Sequence, residues 1–263
     1  MPRFAANLST MFHEVPFLER FARARAAGFQ AVEFLFPYAF DVAAIRHMRD
    51  EAALQVVLFN TPPGDWDRGE RGLAALPGRE DAFREALARA LDYAGELDCP
   101  RIHVMAGVVP EGADPAECER VFVANLRWAA ERAEPLGIRL CIEPINTRDI
   151  PGYFLTTHEQ ARRILEAVGH PQVRLQFDFY HTQMMQGDLT RRFEEMRPFV
   201  EHVQIAGVPG RHEPDHGEIH YPWIFRRLDE LGYGGWVGCE YRPRHGTEEG
   251  LGWLRRWREA RAD

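Results

Sequence analysis

Glu143, Asp178, Gln204 and Glu240 each stand at or near the end of a short apolar run. The runs are Leu140-Cys141-Ile142-Glu143, Val173-Arg174-Leu175-Gln176-Phe177-Asp178, His202-Val203-Gln204-Ile205 and Trp236-Val237-Gly238-Cys239-Glu240. An apolar run bounded by turn formers reads as a buried strand, and a charge at its last position is costly unless something there uses it. Parallel, neighbouring strands would bring these oxygens to one point. Carboxylates gathered there repel one another and cannot all stay ionised without a cation between them. Hard oxygen donors without thiolates suit Mg²⁺ or Mn²⁺ better than zinc. The plainer alternative for each acid is a strand-end residue paired with a nearby arginine.

Side chains alternate along a strand, so if these four point inward, Cys141, Gln176, His202 and Gly238 do too. Gln176 and His202 would then lie buried beneath the cation, either orienting its ligands or forming ordinary core hydrogen bonds. His181, three positions after Asp178, reads as a loop residue at the same rim, where it could hydrogen-bond a substrate oxygen or simply be exposed. Directly after Gln204, a proline-stiffened loop concentrates charge between Pro209 and Glu218. Arg211 there could clamp a carboxylate bidentately, while His212, Glu213 and His216 read equally well as a solvated rim. Arg148 and Asp149 are weaker candidates for the same task.

Composition narrows the chemistry. The net charge of −8 argues against a protein that binds by neutralising phosphate backbones, so no nucleic-acid partner is expected. All 32 basic side chains are arginine. Without lysine there is no Schiff base, no pyridoxal-phosphate anchor and no Walker A lysine, so carbonyl or enediol chemistry must rely on a metal or on hydrogen-bond donors. No apolar run approaches the roughly 20 residues that a bilayer span requires. Met1-Pro2-Arg3-Phe4 opens no signal-like hydrophobic stretch, and Cys99, Cys118, Cys141 and Cys239 contain no CxxC pair. A cytoplasmic protein with reduced thiols and no membrane association is expected.

Strand and helix patterns alternate along the chain. Strands are read at Phe4–Asn7, Ala31–Phe34, Gln55–Phe59, Arg101–Met105 and in the four runs above. Helices are read at Pro16–Ala27, stopping at Gly28, from Asp41 to Ala53, at Glu80–Leu97, from Asp114 to about Glu134, and at Thr157–Val168, Leu189–Met196, Tyr221–Leu231 and Thr247–Arg258. Eight such units without a composition break give an α/β chain, and its length favours a single (β/α)8 TIM barrel over residues 1–263. The rival is an open doubly wound sheet, against which Asn7-Leu8-Ser9-Thr10 offers no Gly-rich fingerprint. The Pro/Gly-rich stretch from Asn60 to Arg79 is long for a connection. Trp66 and Leu73 suggest a lid, or else an Ω-loop pinned by Trp66.

Several stretches resemble a known family across nearly the whole chain. They include Ala6-Asn7-Leu8-Ser9, Phe36-Pro37-Tyr38, Ile142-Glu143-Pro144-Ile145-Asn146, Arg211-His212-Glu213-Pro214 and Gly235-Trp236-Val237-Gly238-Cys239-Glu240-Tyr241. The family is the hydroxypyruvate isomerases with the related 2-oxo-tetronate isomerases, within the xylose-isomerase-like TIM barrels. The resemblance implies that Glu143 and Glu240 are paired catalytic carboxylates, and that with Asp178 and Gln204 they bind the metal. Sugar epimerases of the same barrel usually place histidine where Gln204 stands.

Ile142–Asn146 with Asp149-Ile150-Pro151-Gly152 resembles the hydroxypyruvate branch. His103-Val104-Met105-Ala106-Gly107 and Val203-Gln204-Ile205-Ala206-Gly207 resemble the oxo-tetronate branch. The expected activity is aldose–ketose isomerisation of a small sugar acid through a metal-stabilised enediolate, with His181 or Arg211 orienting the substrate carboxylate. A metallo-phosphodiesterase and a non-catalytic sugar-acid binder are the rivals. Association into a homo-oligomer is left open.

Overall fold

The strands are β1 (Arg3–Asn7), β2 (Ala31–Glu33), β3 (Gln55–Asn60), β4 (Arg101–His103), β5 (Arg139–Ile142), β6 (Val173–Asp178), β7 (Val200–Ile205) and β8 (Trp236–Cys239). In the computed structural model, which describes residues 2–259, each lies parallel to its neighbours. β8 pairs back onto β1, so the sheet closes in sequence order. That closure confirms the (β/α)8 barrel and excludes the open sheet. Around it lie α1 (Arg20–Ala26), α2 (Val42–Glu51), α3 (Glu80–Glu96), α4 (Pro115–Ala133), α5 (His158–Val168), α6 (Phe179–Met185), α7 (Leu189–Met196), α8 (Tyr221–Glu230), α9 (Thr247–Gly250) and α10 (Gly252–Glu259). Among the described residues no helix is long and apolar enough to cross a membrane.

Capping explains most boundaries. The side chains of Asp41, Asp114 and Thr157 accept backbone N–H groups at the starts of α2, α4 and α5. Gly28, at φ +86°, takes the left-handed turn that ends the first helical segment. Three expectations need correction. The helix expected from Pro16 opens instead as a 3₁₀ turn at Phe17–Glu19. The last helix breaks between Gly250 and Gly252, two residues with low helix propensity. The segment after Asp178 is α6, not a loop: the Asp178 carboxylate accepts the Tyr180 N–H at 2.7 Å and starts the helix at the strand end.

The barrel interior has two tiers. In the lower one, Ala5, Ala31, Val57 and Trp236 form a small apolar plug. Beside it Arg101 of β4 meets Glu201 of β7 at 2.9 Å, an ion pair that must cross the barrel floor because those strands are not neighbours. In the upper tier, Glu33 of β2 reaches across to His202 of β7 at 2.6 Å. Gly238 makes room for it: a Cβ there would lie 2.2 Å from a Glu33 carboxylate oxygen.

Candidate active site

Above the upper tier, at the C-terminal mouth, is a cavity of about 530 Å³, lined among others by Glu143, Glu240, His181, Arg211, Trp66 and Arg71. In barrels of this kind the C-terminal face carries the chemistry. Glu143 and Glu240 each follow their strand by one residue, and Asp178 closes β6; all three are buried. Register places Asp178 beside Gln204, and Gln204 beside Gly238. The four strand-end groups therefore share one end of the barrel.

Their electrostatics are those of crowded acids. Burial, then Asp178 and Glu240, push the Glu143 carboxyl well above the ordinary carboxylate range. Burial raises Glu240 to about 7 and Asp178 to about 6, with Arg211 pulling both back down. Glu240 is the best-partnered of the three. Its Oε2 accepts from Gln204 at 2.7 Å and Asn7 at 3.3 Å, and its Oε1 from Arg211 at 2.5 Å. Among the described residues, Glu143 Oε1 and Asp178 Oδ2 have no hydrogen-bond partner.

Gln204 is oriented as a donor. Its amide N–H₂ bridges Glu240 and Glu33, each at 2.7 Å, and its oxygen accepts from Gln176 at 2.7 Å. Glu33, fully buried, is the hub beneath the site, gathering Asn7, Gln204 and His202. Gln176 and His202 thus sit directly under the strand-end oxygens.

His181 lies buried on α6, which corrects its reading as a loop residue. Its tautomer follows from its neighbours. The Asn146 side-chain oxygen accepts two backbone N–H groups, from Arg148 and Asp149, which fixes that amide. The Asn146 N–H₂ then donates to His181 Nδ1 at 2.7 Å. Burial, then Arg211, hold the imidazole well below its usual range and so neutral, which leaves the proton on Nε2. Nε2 stands 3.6 Å from Asp178 Oδ2.

Arg211 is placed otherwise than as a free clamp. Besides Glu240 it lies 3.6 Å from Asp149 and 3.8 Å from Asp178, with its guanidinium over the Tyr180 ring at 4.9 Å. Burial works against its charge, but Glu240, Asp178, Glu143 and Asp149 outweigh it and hold the guanidinium above its ordinary range.

The residues fit a hard divalent cation. Glu143, Asp178 and His181 each bring one candidate ligand atom within 4.8 Å of the others. The partnerless oxygens on Glu143 and Asp178 are what such an ion would satisfy. The His181 tautomer makes Nε2 a donor, so the oxygens, not the imidazole, are the natural ligands.

The stretch from Asn60 to Arg79 is fastened at several points. A 3₁₀ turn at Trp66–Arg68 is capped by Asp65, Gly72 bridges to Ala106, and Glu70 pairs with Arg79. Trp66 packs on Phe36 with ring centres 5.2 Å apart, lines the cavity and keeps 41% of its surface exposed.

Sequence reasoning passed over Glu33, Asn7, His103 and Asn146. His103 Nδ1 lies 3.6 Å from Glu143 Oε2. Burial, then His202, lower its pKa to about 3 and keep it neutral. Asn7, Glu33 and His103 each end a strand, as the four recognised residues nearly do.

Comparison with known proteins places this geometry in context. A family model described as xylose isomerase-like TIM barrel matches residues 21–257. A 2-oxo-tetronate isomerase of Cupriavidus necator is 54% identical over 255 residues, covering 97% of this chain and 98% of that protein. A hydroxypyruvate isomerase of Escherichia coli is 43% identical over 254 residues, covering 97% and 98%. A crystal structure described as AP endonuclease, family 2, from Brucella melitensis superposes with a TM-score of 0.96 at 54% identity, covering 98% of this chain and 99% of that one.

Proposed function

The chain belongs to the xylose isomerase-like TIM barrel family, and from that premise we propose that it is an intramolecular oxidoreductase interconverting 3-hydroxy-2-oxo acids and 2-hydroxy-3-oxo acids. The three-carbon pair is hydroxypyruvate and 2-hydroxy-3-oxopropanoate. The four-carbon pair, 2-dehydrotetronate and 3-dehydrotetronate, is the alternative on the same site, supported by the likeness to the Cupriavidus necator protein. One observation carries the reading: two buried glutamates, Glu143 and Glu240, line one cavity and act on each other electrostatically.

Both reactions move a proton between adjacent carbons and another between their oxygens. One of the two glutamates takes the proton from C3, and the other returns a proton at C2. Their surroundings differ enough to separate the roles, since Glu240 is ion-paired and hydrogen-bonded while Glu143 has an oxygen without a partner. His181 donates from Nε2 to a substrate oxygen. A bound Mg²⁺ or Mn²⁺ would be held by Glu143, Asp178, Gln204 and Glu240 and would stabilise negative charge on the substrate oxygens. As it stands Gln204 donates to Glu240 and Glu33, so bringing its oxygen to the ion would mean turning the amide and giving up both hydrogen bonds. A cytoplasmic setting belongs to the same reading, consistent with four buried, unpaired cysteines.

The test is a side-by-side kcat/KM comparison of the two acids with Mg²⁺ and Mn²⁺, alongside an abasic DNA duplex. Turnover of at least one acid, with the duplex intact, is expected. Cleavage of the duplex, or inertness toward both acids, would overturn the assignment.

A further inference from the structure

Sequence alone nominates His181 or Arg211 for the substrate carboxylate, yet His181 is held neutral and the charge of Arg211 is already matched by Glu240, Asp149 and Asp178. A guanidinium so engaged has little to offer another anion. The cavity has two other arginines on its wall, Arg71 and Arg242.

Arg71 is built to be held still and left unpaired. Its guanidinium stacks 3.6 Å from the centre of the Trp66 ring. Its Nη1 donates to the main-chain oxygens of Trp66 at 2.9 Å and Glu70 at 2.7 Å. Among the described residues, no acceptor engages its Nε or Nη2 and no carboxylate pairs with it. The acid next to it, Glu70, is taken by Arg79, and Asp65 by Arg68. Arg71 is only partly exposed, so water screens it less than a surface arginine. Arg242 is exposed and, among the described residues, has no such scaffold for its side chain. Holding a free Arg242 in one geometry would cost rotamer entropy that Arg71 has already given up.

The geometry points to Arg71, braced by Trp66, as the residue that binds the substrate carboxylate and makes this site select sugar acids over neutral sugars. The inference rests on the proposed isomerase reading and deepens it. Arg71 supplies its free guanidinium edge to the carboxylate, Trp66 fixes the plane of that edge, and Arg211 remains with the reacting carboxylates. The stretch from Asn60 to Arg79 is thereby a specificity element of the cavity.

The test compares wild type with R71M and R242A on an acid and on its neutral counterpart. Hydroxypyruvate and dihydroxyacetone differ only in carboxylate against hydroxymethyl. Expected for R71M is a loss of about 100-fold in kcat/KM for hydroxypyruvate, carried mainly by KM, as for removal of a charge-assisted pair, with turnover of dihydroxyacetone changed less than about 3-fold. Equal losses on both substrates, or a loss of acid preference in R242A and not in R71M, would overturn the inference. Binding of glycerate, which has no carbonyl to isomerise, gives a readout independent of turnover. Calorimetry should show glycerate affinity falling about 100-fold in R71M, and unchanged affinity would overturn the inference. A wild type that binds glycerate through Arg71 but turns over neither substrate would instead sink the isomerase reading alone.

Discussion

The two tiers of the barrel interior handle charge in opposite ways. On the floor, Arg101 and Glu201 neutralise each other one to one at 2.9 Å beside an apolar plug. At the mouth, Glu143, Asp178 and Glu240 crowd around one arginine, and two of their oxygens have no partner. A paired charge can be explained by folding alone. A surplus of buried like charge destabilises the fold and points to a site that uses it.

That contrast yields graded predictions. The largest effect belongs to E143Q or E240Q, each expected to lower kcat by about a thousand-fold or more. For E143Q, thermal unfolding should show a Tm equal to or above wild type, because Glu143 is crowded by like charge and, among the described residues, has an oxygen without a partner. A clear fall in Tm would erase the distinction between the tiers. Next is R211M, which strips Glu240 of its counter-charge. Denaturant titration should show a loss of about 3 to 5 kcal/mol, as for one partner of a buried pair.

A smaller effect tests charge burial outside both tiers. His158 stacks on Phe177 with ring centres 4.5 Å apart, and burial, then Arg192, lower its pKa from 6.5 to about 4. The unfolded chain therefore binds this proton first. The contribution of neutral His158 to stability is fully present above pH 6.5 and falls away toward pH 4. The loss is on the order of 3 kcal/mol at most. H158Q should flatten the pH dependence of unfolding across that window, and an unaltered slope would contradict the assignment. The smallest effect is expected for R101M combined with E201L, about 1 kcal/mol or less, because removing both partners leaves no orphaned charge.

Sequence reading reached the barrel and half of its mouth. Glu143, Asp178 and Glu240 were legible because an apolar run stops at an acid, and Gln204 because it stands near the end of such a run. The same signal was weak in β2 and β4, which are three residues each. Glu33 and His103 therefore lacked the apolar contrast that makes an acid or imidazole conspicuous. α6 was missed because its capping residue, Asp178, is also the strand end, so no turn former marks the boundary. The pairing of Arg211 was illegible because it depends on a left-handed backbone at φ +55°, and on groups from three other segments. The fixing of Arg71 by Trp66 likewise depends on how a loop folds back on itself.

The most direct test of proton transfer between two carboxylates is isomerisation run in D₂O, with the product analysed by NMR. If one glutamate removes the proton and the other supplies a solvent-derived one, each product molecule should carry deuterium at the newly formed C–H. Product that retains only protium at that carbon would mean that the hydrogen passed between the carbons without solvent exchange, by a direct shift or on one carboxyl, and would contradict the two-carboxylate account.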